Sequence, residues 1–442
     1  MNLKDISHIF RSYDVRGIYG KDLDEEIMER IGNAFAQATG EDVIVARDMR
    51  VHSAALCNAF ITGALAAGRN VTFLGVLPLG VGMFAAWRKQ QYAYITASHL
   101  PKEWNGVKFY HKNGVGFFEE ENYKIRDIVI NGGIVKSKTR GNLAKEDTGK
   151  IIEDYKNYIL SKIKAKGKME ITLDTGNGCA GLVARDLFSR AGFSAKAIYE
   201  ELDGRFPNRN PEPSEDPLTE LRQAAGLGIA YDGDGDRMLL VYNGKVIQPE
   251  QTAYLILSQL LENEKGPVVA NIECTRLIDD IAKKFQRDVV RVPVGHTFLV
   301  QGVFVNKACF GIELSGHYII PSLMPIDDSL AVSLYTASII SGMDNLEDII
   351  HEIPTYHFAR INFDCSDKRK FEVIENLKTK LSKQYTNVST MDGVRVDLDD
   401  GWVLIRASNT GPLIRMSIEA RSEQALDRLK REFSAVLEDE MK

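Results

Sequence analysis

The string DGDGDR, Asp232 to Arg237, is the most specific chemical signal in the chain. Its three carboxylates are spaced by glycines and follow an apolar strand pattern, GIAY. Glycine tolerates left-handed backbone angles, so such a loop can turn its acids inward. Three like charges held this close repel, and a bound cation is the simplest reason to keep them together. All-oxygen ligation selects a hard ion such as magnesium, which keeps room for a phosphate oxygen. An EF-hand is excluded, because that loop requires Gly and Glu where this chain has Arg237 and Asn243.

Other loops carry complementary chemistry. Ser98 in ITASHLP follows an apolar strand and could act as a nucleophile or a phosphorylated carrier; taken as a lone Ser-His pair, a capping serine is the better reading. No GxSxG elbow is present, which leaves a hydrolase arrangement unsupported. Lys108 in NGVKFY is a candidate acid or base if burial lowers its pKa. GIELSGHY supplies Glu313, Ser315 and His317, the donor and acceptor set that adjacent sugar hydroxyls need. RASNTGP supplies Arg406, Ser408, Asn409 and Thr410, with Arg415 following; hydroxyls, turn amides and guanidinium groups suit a phosphate dianion. A rival reading makes Asp232 an aspartyl nucleophile of the haloacid-dehalogenase type. That loop carries Thr or Val where Asp236 stands and follows the first strand of its domain. A phosphorylatable serine, a divalent-ion site, a polyol loop and a phosphate loop together point to phosphoryl transfer on a sugar phosphate.

Three similar stretches position these loops. The first runs VIVARD (43–48), a helical pattern over about 52–67, VTFLG (71–75), a second apolar helix and YAYITASH (92–99). The second runs EITLDTGNG (170–178), a helix over about 179–191, SAKAIYE (194–200), a weak helix near 217–224 and LGIAYDGDGDR (227–237). The third runs PVVANIECT (267–275), a helix near 276–286, DVVRVPVGH (288–296), a helix near 297–304 and ACFGIELSGH (308–317). Short apolar runs alternating with helical patterns predict parallel sheets covered on both faces. In each unit the third strand ends in a polar loop. Open α/β sheets bind ligands beyond the carboxyl ends of their strands, so the three loops are expected to wall one cleft. The tail, 356–442, reads as an α+β domain: a strand HFARINFD, a charged helix, a hairpin about Asp400-Gly401, a strand LIRMSIEA and a final amphipathic helix.

Length and composition set the outer limits. At roughly 100–200 residues per domain, 442 residues predict three or four domains. Charged residues are 26% and the net charge is -6, which excludes a disordered chain and speaks against a nucleic-acid binder. An anionic ligand must therefore be held by local Arg and Lys against the overall field. The five cysteines are scattered and form no CxxC pair, so reduced thiols are expected. No apolar run approaches the ~18 residues of a membrane span, and MNLKDISHIF lacks a signal-peptide pattern, so a cytoplasmic protein without membrane partners is expected.

With these motifs in order, the chain resembles the α-D-phosphohexomutases, specifically the bacterial and archaeal phosphomannomutase/phosphoglucomutase group. The matching strings are FRSYDVRG (10–17), TASHLP with Asn105-Gly106 and Lys108, DGDGDR, VGHTF, ELSGH and RASNTGP. The resemblance implies three related α/β/α domains with mixed, mainly parallel sheets plus a C-terminal α+β domain, arranged around a central cleft. The corresponding spans are 1–145, 146–246, 247–355 and 356–442. It implies a phosphoryl group on Ser98, passed to a hexose monophosphate of mannose or glucose to give a 1,6-bisphosphate that reorients and returns its other phosphate. By the same resemblance Asp232, Asp234 and Asp236 with a Ser98 phosphate oxygen bind one Mg2+, and a hexose 1,6-bisphosphate activates. Arg237 and Arg16 lie near the phosphoserine, Lys108 is the general acid/base, and His317 or His296 assists. Glu313 and Ser315 grip the sugar, while Arg406, Ser408, Asn409 and Thr410 hold the non-reacting phosphate. A monomer or homodimer is expected.

The chain departs from the family pattern at four places. Leu100 stands where Asn is usual, Gly411 replaces a commonly acidic residue, and Asp327-Asp328-Ser329 replaces DDG. Glu273 sits where many relatives have a substrate-contacting Lys. Phosphoglucosamine mutases, which typically carry Asp where His296 stands, are the nearest alternative. A metal-dependent sugar phosphatase and a non-catalytic sugar-phosphate-binding protein are the more distant ones.

Overall fold

The computed structural model describes residues 3–165, 168–408 and 413–442. The first sheet holds β1 (Asp14–Ile18), β2 (Val43–Arg47), β3 (Val71–Val76), β4 (Gln91–Ile95), β5 (Trp104–Tyr110) and β6 (Leu143–Lys145), ordered β1-β5-β4-β2-β3-β6. The second holds β7 (Glu170–Asp174), β8 (Ser194–Ile198), β9 (Leu227–Tyr231), β10 (Met238–Tyr242) and β11 (Lys245–Ile247), ordered β11-β10-β9-β7-β8. The third holds β12 (Val268–Asn271), β13 (Val289–Val292), β14 (Phe310–Glu313) and β15 (His317–Ile319), ordered β13-β12-β14-β15. The fourth holds β16 (His357–Asp364), β17 (Val388–Ser389), β18 (Val394–Leu398), β19 (Gly401–Ala407) and β20 (Leu413–Ala420), ordered β16-β20-β19-β18-β17.

The repeat in the sequence is a repeat in space. β2, β7 and β12 each lie between two parallel partners: β3 and β4, β8 and β9, β13 and β14. Each unit adds a strand that the alternation of patterns did not reveal, because β5, β10 and β15 return antiparallel against β4, β9 and β14. An antiparallel neighbour needs no crossover, so the polar loop between the third strand and the returning one is short. All three such loops therefore stay at the carboxyl end of a fully buried strand.

Some expected helices are shorter. The pattern over 179–191 folds as a 3-10 turn, Cys179–Leu182, followed by the helix Ala184–Arg190. The break comes where Gly181 is pressed against the Glu200 carbonyl, which a Cβ would approach to 2.2 Å. The weak helix near 217–224 is a single turn, Thr219–Arg222, in a segment whose Pro211, Pro213 and Pro217 lack amide donors. The hairpin of the tail also turns one residue earlier than expected. Leu398 pairs with Gly401, so Asp399-Asp400 makes the turn. Gly401 already belongs to β19, where a Cβ would lie 2.4 Å from the Glu419 carbonyl.

The fourth sheet shows why strand alternation matters here. Val403, Ile405, Ile414, Met416 and Ile418 face the helices Asp367–Gln384 and Glu423–Met441 and form their own core with Leu377, Leu381, Leu429 and Phe433. Trp402 and Leu404 point the other way, onto Ile272 and Val294 from the third unit. That seam is reinforced by polar contacts. The Arg276 amide and the Trp402 indole both donate to Glu419 (2.9 Å each), and the Arg276 guanidinium caps the Leu398 and Asp399 carbonyls (2.6 and 3.0 Å). Among the described residues no helix is long and apolar enough to cross a membrane, and all five cysteines are unpaired.

Asp328 ties three units together. It caps the helix Ser329–Ile340, accepts a 2.7 Å hydrogen bond from Tyr155 of the helix Thr148–Lys162, and packs where a Cβ on Gly80 would come within 2.6 Å of its Cγ. Burial pushes its pKa up to about 6, and the Tyr155 and helix-amide donors only partly oppose this. An acid whose folded pKa lies above its unfolded value of about 4 retains a proton in the folded state that the unfolded chain releases. This contribution therefore grows as pH falls from about 7 to about 4 and is lost as pH rises through about 6. Asp328→Asn keeps the cap and removes the titration. The melting temperature of the wild type relative to this variant should rise between pH 7 and pH 5, and a pH-independent difference would show that Asp328 titrates normally.

Candidate active site

Ser98 sits at the tip of the first unit's loop with φ of +50°, a left-handed angle that costs a non-glycine residue roughly 1–2 kcal/mol. The surroundings hold it there. Its amide donates to Thr96 Oγ1 (2.8 Å), and its carbonyl accepts from Arg50 Nη2 (2.7 Å). Arg50 is 1% exposed and also donates to the carbonyls of Leu100 (2.5 Å), Pro101 (2.8 Å) and Trp104 (3.1 Å). Asp48 anchors this cradle by pairing with Arg50 Nε at 3.1 Å and accepting from Thr96 Oγ1 at 2.8 Å. The ARDMR segment at the end of β2 therefore shapes the serine loop. Sequence reasoning missed it, although a paired Asp and Arg at the carboxyl end of a buried strand was an available signal.

The Ser98 hydroxyl donates to Asp232 Oδ2 at 2.9 Å, across the boundary between the first and second units. The other oxygen of Asp232 accepts the amides of Gly235, Asp236 and Arg237 at 3.0–3.1 Å. Gly235 takes a φ of +76° to make that turn, and a Cβ on Gly233 would lie 2.6 Å from the Ser98 carbonyl. The Ser329 hydroxyl, where a DDG pattern would have glycine, donates to the Gly235 carbonyl at 2.7 Å and holds the loop from the third unit.

Asp232, Asp234 and Asp236 are buried with carboxylate oxygens within 4.8 Å of one another, and one oxygen each of Asp234 and Asp236 has no hydrogen-bond partner. That donor set fits a hard divalent ion. Burial and repulsion from Asp236 and Asp234 push the Asp232 pKa well up. Burial also opposes charge on Asp236, but Lys108, His317 and Arg237 hold its pKa well below the usual range. Lys108 bridges Asp234 (3.2 Å) and Asp236 (2.6 Å). Burial does pull the Lys108 pKa down, but the two carboxylates outweigh it and raise the pKa, so the ammonium holds its proton.

The second and third units meet through side chains. Arg237 Nη1 pairs with Glu212 at 2.7 Å, and its Nε–H donates to His317 Nε2 at 3.0 Å. The acceptor role of Nε2 puts the ring proton of His317 on Nδ1, which lies 2.8 Å from Asp327. His296 stacks on His317 with centroids 6.1 Å apart; both its ring nitrogens are buried without a partner, and burial lowers its pKa. Glu313 accepts from Ser315 Oγ (3.0 Å) and from the Gly295 amide (3.3 Å). Arg16 is held by Asp14 (2.7 Å) and donates to the Thr96 carbonyl (3.0 Å).

One cleft of about 690 Å3 is lined by Ser98, Lys108, Arg16, Arg237, His296, His317 and Glu313, and on its far side by Arg406, Ser408 and Arg415. All four units thus contribute, and the guanidinium and ammonium groups make the cleft basic in an acidic chain. Of the candidate residues the structure describes, four do not line this cleft: Asp232, Asp234 and Asp236 join it through Ser98 and Lys108, and Ser315 through its hydrogen bond to Glu313. Asn409, Thr410 and Gly411 lie outside the described residues. His99 also lines the cleft, and burial with Arg237 and Arg16 nearby keeps its ring neutral.

Known proteins share this arrangement. Family models of phosphoglucomutase/phosphomannomutase match all along the chain: alpha/beta/alpha domain I at residues 7–133, domain II at 152–245, domain III at 248–356 and the C-terminal domain at 361–436. A probable phosphoglucosamine mutase of Methanopyrus kandleri is 33% identical, covering 96% of both chains. A phosphoglucomutase/phosphomannomutase of Thermococcus kodakarensis is 32% identical, covering 94% of this chain and 95% of its own. Among solved structures, a phosphoglucomutase/phosphomannomutase family protein of Burkholderia thailandensis superposes with a TM-score of 0.88 at 26% identity, covering 98% of both chains.

The Arg50 cradle makes a direct prediction. A lysine at this position has one donor group for carbonyls that four guanidinium hydrogen bonds now gather. Arg50→Lys should lower turnover by about a hundredfold through misplacement of Ser98, with a folded circular-dichroism spectrum. Steady-state kinetics within threefold of wild type would show that the loop holds its shape without Arg50.

Proposed function

The chain belongs to the phosphoglucomutase/phosphomannomutase family, and on that premise we propose that it interconverts the 1-phosphate and 6-phosphate of a hexose through a phosphoserine at Ser98. The observation that carries this reading is the 2.9 Å hydrogen bond from Ser98 to Asp232 inside a cleft whose far wall holds Arg406 and Arg415. One end can give and take a phosphoryl group while the other grips a second phosphate. The substrate hydroxyl attacks the Ser98 phosphorus and the bond to Ser98 Oγ breaks; the 1,6-bisphosphate turns end for end, Ser98 Oγ attacks its other phosphorus, and the bond from that phosphorus to the sugar oxygen breaks.

The chain's residues divide the work. Lys108, held between Asp234 and Asp236, serves as the proton donor of the transfer. His296 is the better proton acceptor of the two histidines, because neither of its ring nitrogens has a hydrogen-bond partner, while Nε2 of His317 is taken by Arg237 and Nδ1 lies 2.8 Å from Asp327. His317 then orients Arg237, and Arg237 with Arg16 faces the phosphoserine. Glu313, steadied by Ser315, reads the sugar hydroxyls, and Arg406, Ser408 and Arg415, with Asn409 and Thr410, hold the non-reacting phosphate. Asp232, Asp234 and Asp236 with a phosphoserine oxygen would hold Mg2+, which neutralises charge on the transferring group when bound. Unpaired thiols in a soluble phosphotransfer enzyme fit a cytoplasmic setting. The domains run over 1–145, 146–246, 247–355 and 356–442 in this reading.

Mannose and glucose phosphates are the proposed substrates. Glucosamine phosphate is the second reading, favoured by the 33% identity to a probable phosphoglucosamine mutase. The 2.9 Å contact of Asp232 Oδ2 with the Ser98 hydroxyl favours the serine over an aspartyl phosphate as the carrier.

Peptide mass analysis should find phosphate on Ser98, and a hydroxylamine-labile phosphate on Asp232 would replace the mutase by a phosphatase. Ser98→Ala should abolish turnover, and a hexose 1,6-bisphosphate should stimulate dephosphorylated wild type. Asp234→Asn should lower the rate at least tenfold, and full activity in chelator would remove the ion from the reaction. Rates measured side by side on mannose, glucose and glucosamine phosphates decide between the two substrate readings.

A further inference from the structure

We propose that Glu273 is a positioning residue for the phosphate end of the cleft: its carboxylate, reaching from the loop after β12, grips Arg406 on β19 and sets that guanidinium for the substrate's non-reacting phosphate. The proposal rests on the reaction described above and adds a residue of the third unit to its phosphate site.

The fourth sheet gathers positive charge on the face turned toward the third unit. Arg406 and Arg415 are direct partners across β19 and β20, Asn362 is the partner of Arg415 on β16, and Arg360 lies two residues away on the same face. Such neighbours repel. Burial, then the fields of Arg406 and Arg360, pull the Arg415 pKa down, and Glu273 opposes them. Glu273 is the counter-ion for this group, with Oε1 3.2 Å from Arg406 Nε and Oε2 3.8 Å from Arg360. It is 8% exposed.

The direction of approach is the telling feature. Arg406 lines the active cleft, while Glu273 lines a neighbouring cavity of about 420 Å3 together with Tyr356, Phe358 and Arg360. The carboxylate thus reaches Arg406 from behind. A guanidinium gripped at Nε still has two terminal nitrogens to present to a phosphate, and its planar fork is then fixed in direction. The backbone that carries the carboxylate is anchored. The Glu273 amide donates to Asn271 Oδ1 at 3.1 Å, the next residue back, Ile272, is buried under Trp402 and Leu404, and Arg395 grips the Ile272 carbonyl. Ordering a long side chain before the ligand arrives removes an entropy cost from binding. Because the non-reacting phosphate is bound alike in ground and transition states, that gain belongs to KM rather than to kcat.

The test compares Glu273→Ala and Glu273→Gln with wild type in full-length, Ser98-phosphorylated enzyme. Glu273→Ala should raise KM for glucose 1-phosphate about tenfold while kcat falls less than threefold. Glu273→Gln, which keeps an acceptor for the Arg406 Nε–H, should recover part of the loss and give an intermediate KM. In an Arg406→Ala background, Glu273→Ala should add no further increase. Calorimetric binding of glucose 6-phosphate to the Ser98→Ala protein provides the same comparison without turnover, so a wrong reaction class and a wrong role for Glu273 give different results. A KM or Kd in Glu273→Ala equal to or below that of wild type overturns the proposal, as does a fall in kcat with KM unaltered. If Glu273→Ala melts early, the shape-preserving Glu273→Gln carries the test, and an unchanged KM there together with additivity in the Arg406→Ala background overturns it.

Discussion

Carboxylates removed from water repel one another far more strongly than they do at a surface, so the Asp232–Asp234–Asp236 loop needs partners from its own unit and from the neighbouring ones. Lys108 comes from β5 of the first unit, Arg237 follows the loop and turns toward the third, and His317 stands 3.8 Å from Asp236. Each of these groups carries its own buried partners. Satisfying the charge of one loop therefore fixes how three units meet. The Ser98–Asp232 hydrogen bond lies at the centre of that arrangement, so the reactive hydroxyl is placed by the same forces that hold the units together.

The returning fourth strand of each unit gives these forces their geometry. A purely parallel unit would send the chain from its third strand into a long crossover, and the polar loops would be free to wander. With β5, β10 and β15 coming straight back, each loop is pinned at both ends by buried strands. A left-handed Ser98 is tolerable in such a frame because Arg50, Asp48 and Thr96 satisfy the groups around it. Strain of this kind persists where the surroundings over-determine the conformation.

The fourth unit uses one sheet for two purposes. Its inner face makes an independent core with two helices, and its outer face offers Trp402 and Leu404 for docking and a row of arginines for anion binding. The docking contacts and the arginine row lie on the same strands, so seating the unit on Ile272 and Val294 also brings Arg406 to the cleft. Glu273 belongs to both functions, since it follows the docked Ile272 directly and meets the arginines.

Much of this was readable before any coordinates. Continuous apolar runs such as GIAY and VVAN can be satisfied only by burial on both faces, so sheet class, the threefold repeat and the loops at the strand ends follow from local pattern. Glycine spacing in DGDGDR is likewise a local fact with a local cause. Other features had no local cause. The proton state of Lys108 depends on two carboxylates more than a hundred residues away, which reverse the effect of burial alone. The turn at Asp399-Asp400 depends on how closely Gly401 approaches Glu419 on the neighbouring strand. The carbonyl cradle of Arg50 and the grip of Glu273 on Arg406 join segments that share no sequence neighbourhood. Periodicity and turn chemistry act over a few residues and are written in order along the chain. Charge pairing acts through space, and only the folded structure decides which groups face each other.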